Sequence, residues 1–219
     1  MKRIFLSLLI CTCASNLARA QAPKLELPKL EVSVNRIEVD SLHMYEVDSV
    51  GTVNASPATV WRILTDYEHM NEFVPDLNSC RVLSRNGNEV IIEQLGTARF
   101  LFMSKSIHLI VRATEQPMTS IDIALVSGDM KHYESHWELI PVPETGGTRV
   151  VYSGRLVPNF YVPGILGAKI IRGDIERMMG AVLARLDSKR EAPASAPRAP
   201  RSSSDPDLAT PALGLPQAR

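Results

Sequence analysis

The chain has 219 residues, 45% of them hydrophobic, and its 24 Lys+Arg are balanced by 24 Asp+Glu, for a formal net charge of zero. That balance argues against nucleic acid as the main partner, because proteins that grip phosphates carry a basic excess to displace counterions. The length suits one globular domain with a sizeable core and short appendages.

The N-terminus reads as an address. Lys2 and Arg3 precede the apolar run IFLSLLI, and the small-residue pattern Ala18-Arg19-Ala20 follows. This predicts a signal peptide over residues 1–20, cleaved after Ala20, and a periplasmic or secreted product. The apolar run is far shorter than the ~20 residues a membrane span needs. A lipoprotein reading through Cys11 or Cys13 is weaker, since Ile10 and Thr12 are not the small residues such a site prefers. Cleavage leaves Cys80 alone, which rules out an intramolecular disulfide and suits a buried structural thiol.

The folded unit is expected over residues 28–188. LEVSVNRIEV and HMYEVDSVGTVNA have strand character, and the second runs into a helix start: Ser56 as N-cap, Pro57 at the first helical position, then VWRILTDY. A second short helix is predicted over His69–Phe73, stopped before Pro75. The period then changes to two. CRVLS and EVIIEQL flank Arg85-Asn86-Gly87-Asn88, a hairpin signal, because Asn-Gly accepts the backbone angles of a tight turn. FLFMSKSIHLIVRAT, SIDIALV, MKHYESHWELIPV and TRVVYSGRLV continue an antiparallel meander of about six strands.

Alternation assigns faces within the meander. In HYESHWEL, Tyr133, Ser135, Trp137 and Leu139 form the apolar row, and His132, Glu134, His136 and Glu138 the polar one. Two histidines four residues apart on a strand stand about 13 Å from each other. With metal–nitrogen bonds near ~2.1 Å they cannot share an ion, so no metal and no cofactor are expected. The last folded element is a long helix with Ile171, Ile175, Met178, Val182 and Leu186 on one face. Residues 189–219 are rich in Pro, Ala and Ser without hydrophobic periodicity, which predicts a disordered tail.

Three stretches, ASPATVWRILTDYEHMNEFVPDLNSCRVL, GDMKHYESHWELIPVPETGGTRVVYSGRLVPN and VPGILGAKIIRGDIERMMGAVLARL, resemble the START-like superfamily. The resemblance is to its polyketide cyclase/dehydrase and lipid transport branch, which includes coenzyme Q-binding START-like proteins. It runs from about Tyr45 to Leu186. Many relatives follow the glycine equivalent to Gly128 with Pro-Phe, whereas Asp129-Met130 stands here, as in other branches.

The resemblance implies an α+β helix-grip fold: a curved antiparallel sheet of about seven strands wrapped around a long C-terminal helix, with two short helices after the first strand. It also implies a hydrophobic cavity between sheet and helix. The inward rows nominate Trp61, Phe73, Leu109, Ile123, Tyr133, Ser135, Trp137, Tyr152, Ile171, Ile175 and Met178 as its wall. The expected role is non-catalytic binding or transport of a hydrophobic small molecule such as a lipid, an isoprenoid or quinone, or a polyketide. The expected protein is a monomer that touches membranes transiently through a mouth at Phe73, Val74 and Pro75 and at residues 160–166. An alternative is a cyclase or dehydratase in which Tyr133 or Lys131 polarises a substrate carbonyl. A third is a partner-binding module with a vestigial cavity.

Overall fold

The computed structural model describes residues 30–39, 41–100, 103–162 and 164–189. The predicted signal peptide, and the predicted tail apart from Lys189, lie outside the described residues.

The elements run β1 (Leu30–Val39), β2 (Leu42–Val53), α1 (Pro57–Leu64), a short 3-10 helix (Tyr67–Glu72), β3 (Leu77–Asn86), β4 (Glu89–Phe100), β5 (Met103–Gln116), β6 (Ser120–Gly128), β7 (Met130–Val142), β8 (Gly147–Pro158) and α2 (Gly164–Ser188). The strands form one antiparallel sheet in the order β1-β2-β8-β7-β6-β5-β4-β3. This is the helix-grip architecture, with eight strands where the sequence suggested about seven. LEVSVNRIEV pairs along its whole length with β2, so the two short helices follow the second strand.

Local chemistry explains the connections. Ser56 is extended, at φ −64° and ψ 154°, and its hydroxyl accepts the Thr59 N–H at 3.3 Å, while Pro57 opens α1. Gly87 takes a positive φ of 60° in the β3–β4 turn. At the β6–β7 turn Gly128 has φ +134°, and a Cβ there would collide with the His108 carbonyl oxygen. The next residue clips that turn to β5. Asp129 donates its N–H to the His108 carbonyl at 2.9 Å and accepts the His108 N–H on its carboxylate at 2.9 Å. Asp129 therefore has a structural role at this turn.

The core lies between the inner face of the sheet and one stripe of α2. Val47, Val53, Val90, Ile92, Val111 and Val150 from the sheet meet Met179, Val182 and Leu186 from the helix, all sealed from solvent. The helix backbone comes closest to β1 and β2. Gly167 makes this approach possible: a Cβ there would run into the Tyr45 ring and hydroxyl. Cys80 is buried, and loss of hydration pushes its thiol up to about 11, which leaves it un-ionised and inert.

The polar row of HYESHWEL lies away from this core. His136 Nδ1 is 2.7 Å from Asp122 Oδ1, its cross-strand neighbour on β6. His132 Nε2 is 3.6 Å from Glu134, too far for a hydrogen bond. The register slips between Met130 and His132, where β7 bulges, and Lys131 is exposed there. Lys131 therefore does not point inward as strict alternation from Tyr133 predicts.

Candidate ligand cavity

Where α2 stands away from β4–β8, a cavity of about 300 Å³ remains between helix and sheet. Its walls are built by alternation and by helical periodicity. Ile92, Ile107, Ile121 and Ile123 are inward members of β4, β5 and β6, while Ile175, Met178 and Val182 descend from α2. Leu64 from α1 and Tyr67 and Met70 from the 3-10 helix close one end. The lining is mostly apolar with a few placed polar groups, the usual constitution of a small-molecule site.

Part of the interior polarity comes from β7 and β8, beside Gln94 and Thr97 of β4. Trp137 and Tyr152 face each other across the two strands with ring centroids 4.8 Å apart and planes inclined at 59°, an edge-to-face geometry. Burial, and next the neighbouring Tyr133 phenol, hold the Tyr152 hydroxyl well above its ordinary pKa. It therefore keeps its proton at any physiological pH and offers a hydrogen bond rather than a base. Two more hydroxyls lie on the same inner face. Ser49 is paired with Tyr152 across β2 and β8, and Ser135 is two residues along from Tyr133. Both are buried, at 2% and 5% exposure; the Ser49 hydroxyl has no hydrogen-bond partner, while Ser135 lies beside the Tyr152 hydroxyl and works against the rise of its pKa. An unpaired buried hydroxyl such as that of Ser49 costs about 1–3 kcal/mol, so this part of the inner face, just behind the cavity wall, is a polar region in mostly apolar surroundings.

At the end formed by the 3-10 helix, the Tyr67 hydroxyl donates to Glu115 Oε1 at 2.9 Å, and Arg85 Nη1 donates to Glu115 Oε2 at 2.9 Å. Burial, and then the Glu115 charge, hold the Tyr67 phenol far above its ordinary value, so it stays a donor. This group fixes the ring that plugs one end of the cavity.

The rim is ionic. Asp76, at φ +61°, follows Pro75 at the start of β3. It accepts Arg99 Nε at 2.7 Å on one oxygen and Arg177 Nη2 at 3.2 Å on the other. Arg177 Nη2 also donates to Asp174 Oδ1 at 2.7 Å. The chain Arg99–Asp76–Arg177–Asp174 thus ties β4, the loop before β3 and α2 together across the opening. Burial works to raise the Asp76 carboxyl, but the hydrogen bonds from Arg99 and Arg177 outweigh it and hold the group below the usual range. At Asp174 burial prevails and the carboxyl is raised.

Of the residues nominated from sequence, Ile123, Tyr133, Trp137, Tyr152, Ile175 and Met178 come together on the cavity wall. The other five lie elsewhere. Trp61 is half-buried on α1, packed against the core. Phe73 is half-buried against the core, under the Arg185 guanidinium 5.4 Å from its ring centroid, and is absent from the cavity lining, while its neighbours Val74 and Pro75 line the rim. Leu109 and Ile171 are buried in solid core rather than against open space. Ser135 faces inward but is covered, so it sits behind the wall. Asp76, Asp174 and Arg177 went unforeseen, since nothing in the local pattern around each points to the others.

A family model described as polyketide cyclase / dehydrase and lipid transport matches residues 53–183. No curated protein matches the chain significantly. Among solved structures, the chain is similar to a STAR-related lipid transfer protein from Xanthomonas axonopodis, at 16% identity and TM-score 0.60, over 74% of this chain and 95% of that one. It is similar to a START superfamily protein from Mycobacterium smegmatis, at 19% identity and TM-score 0.57, over 65% and 97%. It also resembles the Zhui aromatase/cyclase from Streptomyces sp. R1128, at 15% identity and TM-score 0.55, over 66% and 94%. At these identities the likeness concerns the fold. The family match spans more than half of the chain, and the protein therefore belongs to the START-like family of polyketide cyclases/dehydrases and lipid transport proteins.

Proposed function

We propose that the protein binds and carries a hydrophobic small molecule in this cavity without turning it over. The observation that supports the reading is a mostly apolar space between helix and sheet, open at an ionic rim, with the phenols of Tyr133 and Tyr152 on its inner wall. At ~25 cal/mol per Å², burying roughly 250 Å² of apolar ligand surface contributes about 6 kcal/mol. A hydrogen bond from a phenol would then orient a carbonyl or hydroxyl on the ligand.

Catalysis needs a base beside the reacting atom, and the lining supplies none that is free. Asp76 and Asp174, the carboxylates of the lining, are engaged by arginines at the rim, and Tyr152 holds its proton. This favours a carrier over a cyclase. The N-terminal pattern Lys2-Arg3, IFLSLLI, Ala18-Arg19-Ala20 supports a role outside the cytoplasm, and the balance of 24 Lys+Arg against 24 Asp+Glu speaks against a nucleic-acid partner. Tyr161 is 85% exposed and Leu166 is also exposed beside the rim, which suits brief contact with a membrane during loading.

The test is native mass spectrometry of the mature protein purified without detergent, followed by organic extraction. A stoichiometric apolar adduct is expected. A clean apo mass, together with failure to take up lipids or quinones, sinks the carrier reading. Turnover of a polyketide-like substrate that disappears in Tyr133→Phe would establish the cyclase instead.

A further inference from the structure

Outside the ionic rim the surface does not close over. A second depression begins there and shares Pro75, Asp76, Asp174 and Arg177 with the cavity, so the two spaces meet at those residues. Its own lining adds Arg99 and Lys169. Three cations therefore face two carboxylates, and one of those carboxylates, Asp76, is already divided between two arginines. Among the described residues Lys169 takes part in no ion pair. In a chain with no net charge, this is a local excess of positive charge at the door of an apolar chamber.

The helix supplies the shape as well as the charge. Lys169, Gly173 and Arg177 follow one another at four-residue steps, so they lie on one face of α2. A Cβ on Gly173 would meet nothing within 4 Å, so the glycine leaves a notch between the two cations. Guanidinium groups match the planar or forked oxygens of carboxylates and phosphates, and a lysine adds a mobile point charge.

We propose that the ligand is an amphiphile with an acidic head, a carboxylate or a phosphate monoester, seated on Arg99, Lys169 and Arg177 while its tail passes the rim into the cavity. The inference rests on the cavity being a ligand site and adds the class of ligand. The head takes over part of the pairing that Asp76 provides in the empty protein, so no guanidinium is left bare when the ion-pair chain opens. The tail is short. At ~30 Å³ for each water-sized volume, the cavity holds a chain of roughly ten heavy atoms.

The experiment titrates decanoic acid, decyl phosphate and decanol into the purified full-length mature protein, read by calorimetry and by tryptophan fluorescence in a Trp61→Phe background, which leaves Trp137 on the cavity wall as the reporter. Both acids are expected to bind at least ten-fold more tightly than the alcohol at low salt. The tighter of the two acids identifies the head group. Lys169→Gln, an exposed change with no pair to break, is expected to shrink the acid's advantage three-fold or more. Gly173→Leu, whose Cβ enters open space and whose side chain fills the notch, is expected to remove it. Equal binding of acid and alcohol, or an advantage that both variants leave intact, overturns the acidic-head assignment and leaves the apolar carrier standing. Absence of binding by all three probes overturns both.

Discussion

The two flanks of α2 are made of similar residues and do opposite things. Toward β1 and β2 the helix is drawn in, with Gly167 lying against Tyr45, and the space is filled. Over β4–β8 the same helix stands off, and Ile175, Met178 and Val182 face Ile92, Ile121 and Ile123 across a cavity. Hydrophobic composition does not separate these flanks. What separates them is how near the backbones come, close at Gly167 against Tyr45 and distant where Trp137 and Tyr152 face the cavity. A START-like chamber is in this sense a core with one side left unpacked.

The contrast can be broken by removing side chains on either flank. Leu186→Ala empties a fully buried site and is expected to lower stability by about 3 kcal/mol, whereas Ile123→Ala only enlarges existing space and is expected to lower it by about 1 kcal/mol. Urea unfolding of both variants checks this, and equal losses would mean that the cavity collapses in solution. Gly167→Leu forces the helix off Tyr45 and is expected to lower stability by about 2 kcal/mol. Gly173→Ala, four-tenths of the way along the same helix, meets no neighbour and is expected to raise stability by ~0.5–1 kcal/mol in the same assay.

The smallest effect concerns the rim and pH. The Asp76 carboxyl lies below its ordinary value in the folded protein, so the stabilisation that it gives is complete above about pH 4 and is lost as pH falls through the folded value. Arg99 and Arg177 stay charged throughout. Asp174, whose carboxyl burial raises, acts in the opposite sense and partly offsets the loss. Release of a bound apolar probe is therefore expected to quicken modestly below about pH 4, and Asp76→Asn is expected to show the faster rate at neutral pH as well. A release rate flat with pH and unchanged in that variant would show that the rim does not control the opening.

Much of this fold could be read in the sequence, because its signals are local. Ser56-Pro57 starts α1, Asn86-Gly87 turns β3 into β4, and alternation puts Tyr133 and Trp137 inward and His136 outward. The cavity wall was half legible. Alternation gives the inward face of a strand but not whether core or space lies beyond it, so Leu109 and Ile123 look alike until the helix is placed. Bulges defeat alternation altogether, as at Lys131. The rim was not legible at all, since Asp76 finds Arg99 at a separation of 23 residues and Arg177 at 101.

Among the described residues the sheet ends at β1 and at β3, and these two edges differ. β3 slips register between Leu77 and Ser79 and again between Val82 and Ser84. Those interruptions take its outer N–H and C=O groups out of line, and the exposed Arg81 and Arg85 add charge along the same margin. β1 has no such break: its pairing with β2 is continuous from Leu30 to Val39, so its outer backbone groups form an orderly row. An intruding strand, whether from a second copy or from a misfolded neighbour, would find its template at β1. Among the described residues β1 is therefore the more regular edge for such pairing, with the exposed Glu31, Arg36 and Glu38 opposing it.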